Sequence, residues 1–295
     1  MQHPPRLLVT GASGFLGWHV CHQACDRYQV YGTFCTQSVS SPHFATGHLD
    51  LSDASALGAL FDQLQPDAVI HTAAQSRPNH CQQHPTESYQ INVAASETLA
   101  QFCAEGSIPM VFTSTDLVFD GQHAPYTETD RPRPVNIYGA HKVEAEQRIL
   151  MAHPAAVICR MPLMFGAATP TAQSFLQGFV STLQAGKPLS LFTDEFRTPA
   201  AATDAAAGLL LAVTHPGSGL WHLGGPERLS RYEFGQRMVK AWGLDSTLLK
   251  ACRQADVSMA APRPADVSLS SAKAFQMGYR PQSIGAALGY LTSKG

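Results

Sequence analysis

Tyr138-Gly139-Ala140-His141-Lys142 sets a phenol and an ammonium four residues apart, and therefore on one face of any helix they occupy. Carbonyl reduction uses that pair. A phenol with a pKa of about 10 is a poor acid or base at neutral pH, and a neighbouring cation stabilises the phenolate and lowers it toward the working range. The ammonium can also hold a ribose hydroxyl. Taken alone, Tyr-x3-Lys describes an exposed pair on an amphipathic helix equally well, so its context has to narrow the reading.

Two other segments supply that context. Thr10-Gly11-Ala12-Ser13-Gly14-Phe15-Leu16-Gly17 follows a short apolar run and opens a helical pattern. Glycines in such a place allow a tight turn, close approach of a pyrophosphate to the backbone, and close helix packing, while free N–H groups of the helix N-terminus face the phosphates. A bare glycine pattern also suits a strand-to-helix turn that merely needs small residues. The G-x-x-G-x-x-G spacing differs from the usual G-x-G-x-x-G, which points to a subclass of dinucleotide binders. Thr113-Ser114-Thr115-Asp116 ends a later apolar run, where open α/β sheets place their ligands. A hydroxyl there can bond a substrate carbonyl, or merely cap the strand. The joint occurrence of loop, hydroxyl and Tyr-x3-Lys carries the argument. At the end of the second expected strand, Cys35, Thr36 and Gln37 offer neither an acid for a ribose 2′-OH nor an arginine for a 2′-phosphate. Nothing there repels the 2′-phosphate, and NADP(H) is the expected cofactor ahead of NAD(H).

The elements that must position these groups follow the rhythm of a parallel sheet flanked by helices. Strands are expected at residues 7–9, 29–34, 47–49, 67–72, 108–114 and 155–160. Helices are expected over about 17–26, 53–64, 85–105 and 136–153, with a Pro- and Asp-rich surface loop at 121–135. Beyond residue 162 the pattern breaks into Gly/Pro-interrupted pieces, with a strand near 220–223 and helices near 231–242 and 283–291. The expected fold is α/β, a Rossmann-type doubly wound parallel sheet with a smaller C-terminal substrate-binding lobe. The expected division is 1–161 for the dinucleotide-binding domain, regaining a segment near 195–215, and 162–295 mainly for the lobe.

Bulk properties exclude other classes. Hydrophobic residues make up 44% of the 295 and charged ones 14%, a composition that packs a core. A formal net charge of −2 without any Lys/Arg run offers nothing to a nucleic-acid backbone. No apolar run approaches the roughly 20 residues that span a bilayer, and Met1 to Arg6 lack the apolar segment of a secretory signal, so a cytoplasmic address and no membrane partner are expected. Seven scattered cysteines with no C-x-x-C spacing read as reduced thiols. His19, His22 and Cys25 share a helical face, but no fourth ligand lies nearby, so helix packing is the better reading and no metal is expected.

The chain resembles the extended short-chain dehydrogenases/reductases, and within them the dTDP-4-dehydrorhamnose reductase-like group, which includes the regulatory beta subunit of methionine adenosyltransferase. The stretches that carry this are T-G-A-S-G-F-L-G (10–17), H-T-A-A (71–74), S-T-D-L-V-F-D-G (114–121), P-V-N-I-Y-G-A-H-K (134–142) and R-M-P-L-M-F-G (160–166). The resemblance implies that Thr115, Tyr138 and Lys142 are catalytic, with Tyr138 giving a proton as hydride arrives from the reduced nicotinamide. It implies a cofactor site of Gly11, Ser13, Gly14, Phe15, Leu16, Thr36, Asp50, Leu51, Ala73, Ala74, Asn92, Tyr138, Lys142 and Met164. Asp50 and Leu51 match the adenine-contacting pair, and Asn92 matches a helix Asn that supports the site. Arg263-Pro264 matches a late segment that reaches toward substrate, and Gln75, Arg77 and Arg197 complete the expected substrate set. For Arg77 a solvated loop arginine is a plainer reading than a phosphate contact, and Arg197 is read with the same caution. The implied activity is NADP(H)-dependent reduction of a nucleotide-linked 4-keto-6-deoxy sugar. A dinucleotide-binding regulatory subunit docked on a methionine adenosyltransferase, or a nucleotide-sugar epimerase, are the alternatives, and a homodimer is compatible with the fold. Two departures leave the sugar and its base open. Leu117 stands where the reductases carry Tyr, and Gln75 to Asn79 reads Q-S-R-P-N, closer to the regulatory subunit. Leu117 after Asp116 also argues against a dehydratase, which commonly has Asp-Glu there.

Overall fold

The structure, a computed structural model, describes residues 3–217 and 219–293, so the expected outer bounds at residues 1 and 295, and Met1 and Gln2 of the leader reading, lie outside the described residues. The apolar runs become β1 (Arg6–Thr10), β2 (Gln29–Phe34), β3 (Ala45–His48), β4 (Ala68–His71), β5 (Met110–Thr115) and β6 (Val157–Met161). They stand in the order 6-5-4-1-2-3, and every pairing is parallel. β4 and β5 are buried along their whole length because helices cover both faces, which is why they read as unbroken apolar runs.

Alternation along the strands divides the core in two. Leu7 and Val9 of β1 join one cluster, with residues of α1 (Phe15–Ala24) such as Val20. Leu8 joins the other, with Leu57 of α2 (Ala54–Leu64) and, further along the chain, Leu99 and Ile149. Between β4 and β5 the chain forms α3 (Pro78–Gln83), α4 (Pro85–Tyr89), a wider π-turn at Gln90–Ala94 and α5 (Ala95–Glu105). The single helix expected over 85–105 is thus corrected. It contains a π-turn, and ahead of it Pro78 opens a further helix at a first-turn position that needs no N–H. After β5, α6 (Ile137–Ala152) is capped by the Asn136 side chain, which accepts from the Gly139 N–H at 2.9 Å.

The chain leaves the sheet after β6 and then returns. α7 (Phe175–Gln184) belongs to a third core with Phe165, Leu191, Phe234 and Leu288. α8 (Ala202–Val213) packs into the first core, and a seventh strand, Leu220–His222, pairs in parallel with β6. α9 (Arg231–Trp242) re-enters the third core, its start closed by reciprocal bonds of Ser230 and Glu233. That core, with short ladders such as 189–192 against 249–252, forms the smaller lobe over the C-terminal ends of the strands. All seven cysteines are unpaired. Among the described residues no helix is long and apolar enough to cross a membrane.

Candidate active site

A cleft of about 1070 Å³ opens at the C-terminal ends of the paired strands β1 and β4, the switch point from which the chain order runs in opposite directions, and reaches the smaller lobe. Its floor at β1 requires glycine. Gly11 has φ +76°, and a Cβ there would lie 2.8 Å from the Ala73 backbone. A Cβ at Gly17 would lie 2.2 Å from the Gly11 carbonyl oxygen, so helix and strand touch directly. Gly14 begins α1 with no side-chain cap, and Phe15 and Leu16 line the cleft, so first-turn N–H groups are free for an anion. This cradle of close backbone and unclaimed donors fits a dinucleotide pyrophosphate. Ser13, Thr36, Asp50, Leu51, Ala73, Ala74 and Met164 line the same cleft. Asp50 is turned to its own loop, accepting from the N–H and hydroxyl of Ser52 at 2.9 and 2.7 Å, and these bonds lower its pKa.

The switch point is pinned by His71. Its Nδ1 meets Thr10 Oγ1 at 2.6 Å and its Nε2 meets Ser96 Oγ at 2.9 Å, and burial, with Lys142 nearby, pulls its pKa down to about 3. It is therefore neutral, tying β1, β4 and α5 together beneath the cofactor cradle. Asn92 lies in the π-turn and is fully buried. Its side chain accepts from the Gln75 N–H at 2.9 Å and donates to the Gln75 carbonyl at 3.0 Å. Asn92 does not line the cleft; it braces Gln75, which does.

The reacting groups meet at the end of β5. Gly139 lets α6 sit against the turn after that strand, since a Cβ there would come within 2.2 Å of the Leu117 carbonyl oxygen. This close approach brings Tyr138 beside Thr115, whose hydroxyl partly offsets the effect of burial on the phenol. The Thr115 hydroxyl also donates to Asp116 and accepts from the Leu117 N–H, both at 3.2 Å. Lys142 is buried; its Nζ donates to the Thr113 carbonyl at 2.8 Å and lies 4.4 Å from the Phe112 ring centre. The expectation that Lys142 lowers the Tyr138 phenol is corrected. Burial, reinforced by Asp116 and Cys81, raises it, because the ammonium reaches under the helix to the strand carbonyl. Tyr138 is thus a protonated donor at neutral pH. Burial pulls Lys142 down to about 7, opposed first by Glu146.

At the far end the smaller lobe contributes charge, the expected Arg197 and Arg263 together with Arg231 and Glu195, which the sequence patterns missed. Arg197, Arg231 and Arg263 line the cleft with Asp116 and Glu195. Glu195 lies 3.4 Å from Arg197 and 3.9 Å from Arg231, and Asp116 lies 3.7 Å from Arg197. Burial pulls Arg231 down to about 10 and lowers Arg263, and in both Glu195 opposes it. One Nη1 of each arginine is buried without a hydrogen-bond partner, as is Oδ2 of Asp116. Three guanidiniums against two carboxylates leave positive charge and unspent donors facing the cleft, the chemistry of a site for a multiply charged anion. Arg77, expected among the substrate residues, is exposed at the start of α3 and does not line the cleft. His19 instead meets the Ala167 carbonyl at 3.3 Å, and His22 packs on Trp18 at 4.5 Å.

A seven-stranded parallel sheet, a glycine cradle at its switch point and a Thr-Tyr-Lys set at the end of β5 define an extended short-chain dehydrogenase/reductase. The chain belongs to the RmlD substrate binding domain family, whose profile matches residues 5–290. It is 32% identical to methionine adenosyltransferase 2 subunit beta of Xenopus laevis over 280 residues, 92% of this chain and 82% of that protein. It is also 32% identical, over 262 residues (87% of this chain, 86% of the other), to a probable low-salt glycan biosynthesis reductase of Haloferax volcanii. In fold it matches the dTDP-4-dehydrorhamnose reductase of Bacillus anthracis solved with NADP, with a TM-score of 0.89 at 21% identity over 99% of this chain and 100% of that one.

Proposed function

We propose that this chain is an NADP(H)-dependent reductase of a nucleotide-linked 4-keto-6-deoxy sugar. One observation carries the reading: a single cleft joins the glycine cradle, the Thr115-Tyr138-Lys142 set and the three arginines with an unpartnered nitrogen. A dinucleotide along β1 and a nucleotide diphosphate on the arginines would leave a sugar between them, beside Tyr138. When bound, the nicotinamide supplies hydride to the carbonyl carbon. Tyr138 donates its proton to the carbonyl oxygen, Thr115 orients that oxygen, and the Lys142 ammonium, set against the Thr113 carbonyl, would hold the nicotinamide ribose. Leu117 presents an apolar wall beside Tyr138, which suits a deoxygenated sugar carbon. The cofactor side rests on Cys35 and Thr36, which line the cleft at the end of β2 and carry no carboxylate of their own, although Asp50 lies near Cys35. A cytoplasmic location accords with seven unpaired thiols.

The second reading, a regulatory subunit docked on a methionine adenosyltransferase, is favoured by the identity to the Xenopus subunit over nine-tenths of the chain. The test that separates them follows nicotinamide absorbance with NADPH or NADH and a panel of dTDP- and GDP-linked 4-keto-6-deoxy sugars. Consumption with one sugar, abolished about 10²–10⁴-fold in Tyr138→Phe with cofactor binding kept, supports the reductase. Silence across the panel, together with co-purification with the adenosyltransferase, supports the regulatory subunit. Interconversion of sugars without net absorbance change identifies an epimerase.

A further inference from the structure

We propose that Glu146 is a positioning residue of the site: fixed by Arg160 behind β5, its carboxylate holds Ser114 at the strand end and stands one helical turn from Lys142 as that cation's counter-charge. This rests on the reading that Tyr138 and Lys142 do the chemistry. Arg160 grips Glu146 with two bonds, Nε to Oε1 at 3.0 Å and Nη2 to Oε2 at 2.8 Å, and Ser114 Oγ donates to Oε1. All three residues are buried. Arg160 is held in turn by the Phe119 ring, 5.1 Å away, and by His222 Nε2 at 3.4 Å. Burial, with Arg160 beside it, pulls His222 down to about 3, so it is a neutral acceptor.

Ser114 immediately precedes Thr115, so the bond to Glu146 sets the last residue of β5 from which the Thr115 hydroxyl projects. Lys142 lies on the same face of α6 as Glu146, four residues earlier. Its direct contacts, the Thr113 carbonyl and the Phe112 ring, carry no full charge. The other titratable groups around it are Tyr138 on its own helix, Cys81 of α3, His71 of β4 and, beyond Tyr138, Asp116 after β5. Tyr138 and Cys81 are raised by burial and His71 is neutral, so Glu146 is the charge that first opposes the desolvation of Lys142. A buried ion pair is weak evidence for stability, since an apolar pair of similar volume often does as well. Its place between Ser114 and Lys142 gives this pair another use.

The test compares wild type with Glu146→Gln and with Glu146→Gln/Arg160→Met, whose second change removes the guanidinium that the first would leave unpaired. Full-length protein is labelled at lysine Cε, and its six lysines are followed by NMR against pH, with Lys142→Arg assigning the signal. The Lys142 midpoint is expected to fall by about one pH unit in the folded double variant. The alkaline limb of kcat/KM should fall with it, about tenfold in rate on that limb. A folded double variant whose midpoint is unmoved overturns the proposal, as does a midpoint that falls while the limb stays. A wild type that turns over no sugar defeats the reductase reading instead, and the lysine midpoint still decides whether Glu146 is the counter-charge.

Discussion

Replacing Asp116 by Asn should make the protein relatively more stable as pH rises, the reverse of what losing an ordinary paired carboxylate does. Asp116 is buried, its Oδ2 is unpartnered, and the nearest guanidinium nitrogen of Arg197 stands 3.7 Å away. Burial pushes its pKa from 3.8 up to about 6, with Arg197 opposing. A carboxylate raised on folding costs nothing below its unfolded pKa, because both states are then protonated. Its cost grows between the two pKa values and is complete above the folded one. A rise from 3.8 to about 6 corresponds to about 3 kcal/mol at pH 8, at roughly 1.36 kcal/mol for each pH unit. About 1 kcal/mol of that cost is already present at pH 4.5, and Asn cannot ionise, so the stability of Asp116→Asn minus that of wild type should be about 2 kcal/mol more favourable at pH 8 than at pH 4.5. Comparing the two pH values cancels any fixed effect of the amide on Arg197. Urea unfolding at pH 4.5, 6 and 8 measures it. A difference that is flat with pH, or that turns against Asn at pH 8, refutes the burial argument. A rising difference identifies a carboxylate held beside Thr115 at the expense of stability.

Gly17→Ala puts a Cβ 2.2 Å from the Gly11 carbonyl oxygen and 2.6 Å from Thr72 Oγ1, and neither the backbone nor this strand-end hydroxyl can yield without reshaping the cradle. We expect about 1–3 kcal/mol of lost stability and at least tenfold weaker NADPH binding by fluorescence titration, and an unchanged Kd would count against the cradle. Asn92→Ala leaves the Gln75 N–H and carbonyl without their side-chain partners. A loss of about 2 kcal/mol in urea unfolding is expected, with faster hydrogen exchange at the Gln75 amide; protection equal to wild type would show that the brace is idle.

What the sequence disclosed tracks how local each feature is. The glycine loop, the Thr-Ser-Thr strand end and Tyr-x3-Lys each lie within one element or one turn, so spacing alone says which side chains face together. The strands of the sheet were legible because burial on both faces writes an unbroken apolar run, as in Ala68–His71. The π-turn at Gln90–Ala94 was not, and the partner of its Asn92 lies outside the helix: the Gln75 backbone, which takes both ends of the Asn92 amide. Spacing also placed Lys142 on the face of Tyr138 without showing that its ammonium ends on the Thr113 carbonyl, and that contact is why burial governs the phenol.

The arginine cluster is the extreme of this division. Asp116 opens the turn after a strand, Glu195 precedes the two-residue ladder Phe196–Arg197, Arg231 follows a helix cap, and Arg263 sits in a Pro-flanked loop. No periodicity joins these segments, and an isolated arginine reads by default as solvated. Only the docking of the smaller lobe over the strand ends brings them together, and burial then makes their unspent donors informative. The chain therefore carries the dinucleotide side of the cleft in local motifs and the substrate side in tertiary charge. For this reason the cofactor class follows from the sequence more closely than the sugar does, and the substrate is best sought through the anion that satisfies Arg197, Arg231 and Arg263 together.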